Sequence, residues 1–336
     1  MAAKRTILCS LGALLGLSGC ASFNQDRHEV LVRDPTIGHY GEPVDASTHA
    51  KNQWAYAAMS DAVYEEARLR SYQDQGKALP VDAAALQVQA CGGQVPPQVP
   101  PEWQVWREFP SQALSQAMRR EGLYLVVMER TTPPREIVVV FEGTNFTELP
   151  DWGANFRWFL RFVPGYKDQY TLTAREVSKE FFDRIRALPQ QYQVSDSDPV
   201  LRSPQGEPIR IVATGHSLGG GLAQHFAYTF HQASPSSTGP KVSEVFAFDP
   251  SPVTGWFSAD DPPRTHNASG LVINRIFEHG EVLAYVRLLT SRLAVSAKDP
   301  AIWEYRYNFD PRANIVRNHS MRSLACGLAK AAAEAG

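Results

Sequence analysis

Gly215-His216-Ser217-Leu218-Gly219 stands between an apolar run, Ile209-Arg210-Ile211-Val212-Ala213-Thr214, and a small-residue segment, Gly220-Gly221-Leu222-Ala223. That order reads as strand, sharp turn, helix. A serine at such a turn has its hydroxyl lifted above the strand ends, and glycines two before and two after it leave room for a strained backbone. Ser217 is therefore a candidate nucleophile. A strand that feeds a helix in this way also points to an α/β fold with a largely parallel sheet.

The rest of the chain fits that pattern. Ala46 to Arg70 carries Trp54, Ala58, Ala62 and Leu69 at helical spacing. Pro96, Pro97, Pro100, Pro101 and Pro110 exclude the next segment from a sheet centre. Leu123 to Met128 and Ile137 to Phe141 are apolar runs separated by the turn-like Thr131-Thr132-Pro133-Pro134. Ala174, Val177, Phe181, Ile185 and Leu188 predict an amphipathic helix ahead of the nucleophile strand. Val242 to Phe248, Leu271 to Phe277 and Trp303 to Tyr307 supply further strands, and an Ala-rich helix closes the chain. The sum is an α/β-hydrolase arrangement, a mostly parallel central sheet with helices on both faces.

The N-terminus suggests export. Lys4 and Arg5 precede an apolar stretch from Ile7 to Leu17, too short to span a bilayer and the right size for a signal core. It ends in Leu17-Ser18-Gly19-Cys20, which resembles the lipobox of bacterial lipoproteins. On that reading residues 1–19 are a signal peptide, and Cys20 is acylated with fatty chains such as palmitate. Residues 20–45 form a polar tether, and residues 46–336 one hydrolase domain. Two or more acyl chains would anchor the domain to a membrane. Ala21 and Ser22, with no aspartate after the cysteine, match outer-membrane sorting and place the chain in the bacterial envelope, facing periplasm or surface.

Charge and cysteine usage agree with this. The 33 basic and 35 acidic residues give a net charge of −2 and are interspersed, so there is no basic field for nucleic acid. Of the four cysteines, Cys9 leaves with the signal and Cys20 is the acylation site. Cys91 and Cys326 remain, as a disulfide in an oxidising compartment or as two free thiols.

A serine hydroxyl needs an imidazole to take its proton and a carboxylate to orient that imidazole. Of nine histidines, His28, His39 and His49 precede the domain core, His216 lies inside the turn, and His225 and His231 sit on the helix leading away. In this fold the chain order is nucleophile, acid, histidine. His266, His279 and His319 satisfy it. His319 is preferred, because Arg317-Asn318-His319-Ser320 forms a loop after the last strand. For the acid there are two choices, Glu281 after the strand ending at Phe277 and Asp249 after the strand ending at Phe248. Either could reach the same ring. No His/Cys/Asp group has metal-ligand spacing, and no metal or organic cofactor is implied.

These residues carry a resemblance to the class 3 lipases, relatives of the fungal triacylglycerol lipases. It rests on Ile137 to Thr144, Asp151-Trp152-Gly153-Ala154-Asn155-Phe156, Gly215 to Ala223 and His319, over roughly residues 50 to 325. The resemblance implies that Thr144, after Phe141-Glu142-Gly143, and the backbone N–H of Leu218 donate to the oxyanion. Two departures stand out. The family commonly has arginine at the place of Glu142, and aspartate at the place of Glu281.

In the family the stretch after Thr144 forms a cover over the serine. Here it holds Phe146, Trp152, Phe156, Trp158, Phe159, Phe162 and Tyr166 with Arg157 and Arg161 interleaved, consistent with an acyl pocket or an interface surface. The expected activity is a membrane-anchored serine esterase on carboxylic esters of lipids, of triacylglycerol lipase or phospholipase A1 type, through an acyl-enzyme. Two other classes fit the same residues: an acyltransferase or thioesterase, and a non-catalytic envelope lipoprotein that keeps the fold.

Overall fold

Apolar alternation with a period of two fixes how the sheet divides its core. The computed structural model describes residues 26–74, 76, 91–143, 167–230, 239–281, 283, 299–311 and 317–334. Its strands are β1 (Glu29–Arg33), β2 (Val44–Asp45), β3 (Trp103–Val105), β4 (Leu125–Arg130), β5 (Glu136–Phe141), β6 (Leu201–Arg202), β7 (Pro208–His216), β8 (Glu244–Phe248), β9 (Val272–Glu278) and β10 (Ala301–Tyr307). They lie in the order β2-β1-β10-β9-β8-β7-β5-β4-β3, with β6 paired to β7 off that path. The central strands β5, β7, β8, β9 and β10 run parallel, while the flanking pairs are antiparallel.

Along β5, Ile137, Val139 and Phe141 enter one core and Val138 and Val140 the other. Successive side chains of a strand point to opposite faces, so a strand buried on both sides must be apolar throughout. The helices that close these faces are α1 (Ala46–Asp74), α2 (Gln112–Arg120), α3 (Lys167–Leu172), α4 (Ser178–Ala187), α5 (Leu218–Thr229), α6 (Pro263–Ala268) and α7 (Met321–Ala333). Phe181 and Ile185 of α4 and Leu222 and Phe226 of α5 fill the first core. Ala57, Met59 and Val63 of α1 and Leu324 and Leu328 of α7 fill the second. This is the α/β architecture with helices on both faces.

Three features differ from the sequence expectations or complete them. Residues 20–45 read as a tether, yet Glu29–Arg33 joins the sheet beside β10, with Val32 opposite Tyr305. The strand closes an edge of β10 that would otherwise expose backbone donors and acceptors, and Val30 is fully buried. The helix expected around 174–188 begins earlier and contains a π turn, Thr173–Val177, between α3 and α4. There the Ser178 N–H and Ser178 Oγ both donate to the Thr173 carbonyl.

Of the two cysteine alternatives, the structure has the disulfide: Cys91 is bonded to Cys326, 235 residues away in sequence. The bridge ties the chain beyond α1 to α7. A partly buried ion pair joins α1 itself to α7, with Arg322 Nε 2.6 Å from Asp61 Oδ2. Burial raises the Asp61 pKa and the Arg322 charge opposes that rise. These ties matter because α7 begins at Met321, two residues after His319.

Candidate active site

β7 ends at His216 and α5 starts at Leu218, leaving one residue, Ser217, to make the whole turn. Ser217 has φ 56°, the left-handed region that is costly for a residue with a side chain. Backbone bonds hold it there. Ser217 N–H donates to the Phe248 carbonyl at 2.9 Å, and its own carbonyl accepts from Ser251 N–H at 2.8 Å. The flanking glycines serve close approach: a Cβ on Gly215 would lie 2.7 Å from the Phe141 carbonyl oxygen, and one on Gly219 would overlap it.

His319 closes on this hydroxyl from the 3₁₀ turn Arg317–His319. Its Nε2 is 3.1 Å from Ser217 Oγ, and its Nδ1 is 2.9 Å from Glu281 Oε2. Ser217 and Glu281 are fully buried and His319 is 4% exposed, so little water competes for these bonds. With Glu281 ionised, Nδ1 carries the proton and Nε2 is left as acceptor for the serine hydroxyl. Glu281 is itself pinned, because Oε2 also accepts the Leu283 N–H at 2.6 Å. The His319 turn is pinned too, since Asn318 Nδ2 donates to the His279 carbonyl at 2.8 Å.

Asp249 also converges on this place. It follows β8, is fully buried, has φ 40°, and its Oδ1 accepts the Glu278 N–H at 3.0 Å. One of its carboxylate oxygens lies within 4.8 Å of a ring nitrogen of His216 and of His319. This grouping of His216, Asp249 and His319 has no counterpart in sequence spacing, since neighbouring strands and a distant turn create it. Both His319 nitrogens are already engaged by Glu281 and Ser217. Of the two candidate carboxylates, Glu281 is the one hydrogen-bonded to His319, while Asp249 ties the β8 and β9 ends together.

Two further ionisable groups line the same strand ends. Burial pushes the Glu278 carboxyl up to about 8, and its Oε1 accepts the Asp310 N–H at 3.2 Å. His216 lies beside His319, with ring centroids 4.7 Å apart, and its Nδ1 is 2.8 Å from the Tyr64 hydroxyl. Burial, and then the His319 charge, hold its pKa well below the ordinary histidine value, which keeps it neutral. His225 is turned away along α5 with Nε2 3.0 Å from the Tyr170 carbonyl, and burial lowers its pKa to about 4. His266 is on α6 and His279 in the turn after β9.

Leu218 is the first residue of α5, so its N–H is among those that the helix cannot satisfy internally and that carry its positive end. Thr144, the other donor implied by the resemblance, lies outside the described residues. So do residues 1–19, Cys20, His231 and the aromatic run from Phe146 to Tyr166. Tyr64 was not singled out in the sequence, and Glu278 stood out there only as a further acid near Glu281. Tyr64 reads there as one more residue of a helix packed against the sheet, and nothing short-range marks its contact with the elbow.

By fold the chain is an α/β-hydrolase, with a buried serine, histidine and glutamate in line above the parallel strands. The family model described as Lipase (class 3) matches residues 138–265, a stretch that contains most of β5, Ser217 and Asp249 and ends before Glu281 and His319. That match supports the class 3 lipases, whose activity is lipase-type ester hydrolysis. No curated protein matches the chain.

Proposed function

We propose that this protein is an envelope-anchored serine esterase that cleaves carboxylic ester bonds of lipids through an acyl-enzyme on Ser217. The observation that carries this reading is the line from Ser217 Oγ through the His319 ring to Glu281 Oε2, at 3.1 and 2.9 Å. Those distances suit proton transfer from hydroxyl to imidazole. As Oγ attacks the ester carbonyl, His319 Nε2 takes its proton, and Glu281 stabilises the imidazolium that results. The oxyanion forms beside the N-terminus of α5, where the Leu218 N–H donates, with Thr144 as the second donor. His319 then returns the proton to the leaving alcohol. A water, deprotonated by the same nitrogen, then attacks the acyl carbon; its bond to Ser217 Oγ breaks, the proton returns from His319 to Oγ, and the acid is released.

A lipid substrate of triacylglycerol or phospholipid A1 type is favoured by the family match and by the aromatic run after Thr144. The lipobox ending in Cys20 supports acylation of that cysteine and anchoring in the bacterial outer membrane, facing periplasm or surface.

A fluorophosphonate probe tests the chemistry. The native protein should be labelled, with Ser217→Ala and His319→Ala unlabelled; an unlabelled native protein would sink the reading. Mass spectrometry of the N-terminal peptide from envelope fractions tests the anchor, with acylated Cys20 expected and an unmodified, soluble chain counting against it.

A further inference from the structure

Tyr64 belongs to α1, far in sequence from both the elbow and β5, yet its hydroxyl touches both. Its Oη is 2.8 Å from His216 Nδ1, and the Gly143 backbone packs directly against the same hydroxyl. Gly143 follows β5 and His216 ends β7, neighbouring parallel strands with Phe141 paired to Gly215. The approach is close enough that a Cβ on Gly143 would overlap both the Tyr64 hydroxyl and the His216 carbonyl oxygen. Only hydrogen fits there.

His216 is buried and neutral, so one proton is shared between the Tyr64 hydroxyl and Nδ1, and the hydroxyl fills the space beside Gly143. One side chain from α1 therefore joins the residue before Ser217 to the residue before Thr144.

We propose that Tyr64 is a positioning residue: its hydroxyl locks the Gly143 end of β5 to the His216 end of β7, setting the separation between the nucleophile elbow and the strand end that leads into the expected oxyanion donor. The inference rests on the esterase reading above. Oxyanion donors act only within about 2.7–3.1 Å of the place where negative charge develops, and losing one lowers kcat about 10²–10³-fold. A loosened strand-end gap weakens that donation in part. A neutral ground-state carbonyl depends on it far less, so the loss falls on kcat rather than KM.

Tyr64→Phe keeps the ring and removes the hydroxyl. For a soluble short-chain ester, kcat should fall roughly 10–100-fold, below the full loss of a donor, with KM within about twofold of native. Affinity for an alkyl boronic acid, which forms a tetrahedral adduct on the serine, should fall by a similar factor. A general loss of packing would not produce that split. Native kcat and boronate affinity in Tyr64→Phe overturn the proposal, as does a loss confined to KM. If Tyr64→Phe does not fold, Gly143→Ala displaces the same hydroxyl and should show the same split; native kcat there overturns the proposal equally. Fluorophosphonate labelling separates the two levels. An unlabelled native chain removes the esterase reading and this inference together, while equal labelling rates in native and Tyr64→Phe remove this inference alone.

Discussion

Glu281 Oε2 stands 2.9 Å from His319 Nδ1, and the same oxygen takes the Leu283 N–H at 2.6 Å. The carboxylate is therefore oriented from its own loop before it orients the imidazole. Asp249, equally buried, spends Oδ1 on the Glu278 N–H. The two carboxylates that sequence alone leaves interchangeable have different partners.

Glu281→Gln should lower kcat by about 10³–10⁴-fold, the loss seen when a triad carboxylate becomes an amide and the imidazole tautomer is no longer set. Asp249→Ala should act mainly on stability, lowering it by about 1–3 kcal/mol because a buried N–H loses its acceptor. Steady-state kinetics with thermal melts of both variants check this; a larger kcat loss in Asp249→Ala would transfer the acid role.

The Glu278 carboxyl, raised to about 8 in the fold from an ordinary 4.5, binds a proton in the native state that the unfolded chain has released. Stability from this group is fully present below about 4.5 and is lost as pH rises toward about 8. Denaturant midpoints of the native protein should therefore fall between pH 5 and 8 more steeply than those of Glu278→Gln. Equal slopes would refute the assignment.

Reduction of Cys91–Cys326, or the double replacement by serine, should destabilise the fold by about 2–5 kcal/mol, since the bridge closes a very long loop in the unfolded chain. Urea unfolding with and without reductant measures it. An unchanged midpoint would mean that the bridge restrains nothing in the unfolded ensemble.

Gly219→Ala places a methyl group where the Phe141 carbonyl oxygen already sits. The elbow must shift to admit it, and a displacement of even 1 Å at a reacting centre can cost about 10²-fold in rate. The variant should be folded by circular dichroism yet label with fluorophosphonate at least tenfold more slowly. Native-rate labelling would show that the elbow has slack.

Much of this was legible in the chain because it is local. Gly215 to Gly219 declares a strand, a turn and a helix within a few residues. β5 and β8 show as apolar runs because both of their faces are buried. His319 follows from chain order in this fold and from the loop around it. β1 escaped notice because it is short and finds its partner, β10, some 270 residues later, with Val32 opposite Tyr305. Tyr64 escaped because a partly buried tyrosine on a long helix gives no sign of what its hydroxyl meets.

By itself the sequence determined the α/β class, the serine at the elbow and a short set of histidines and acids, since backbone sterics and hydrophobic periodicity act between near neighbours. Only the tertiary structure decided which carboxylate faces His319, that Cys91 meets Cys326, and that Tyr64 joins Gly143 to His216. Those are distances between segments far apart in the chain, set by how β5, β7, β8 and β9 align and by where α1 and α7 pack across them.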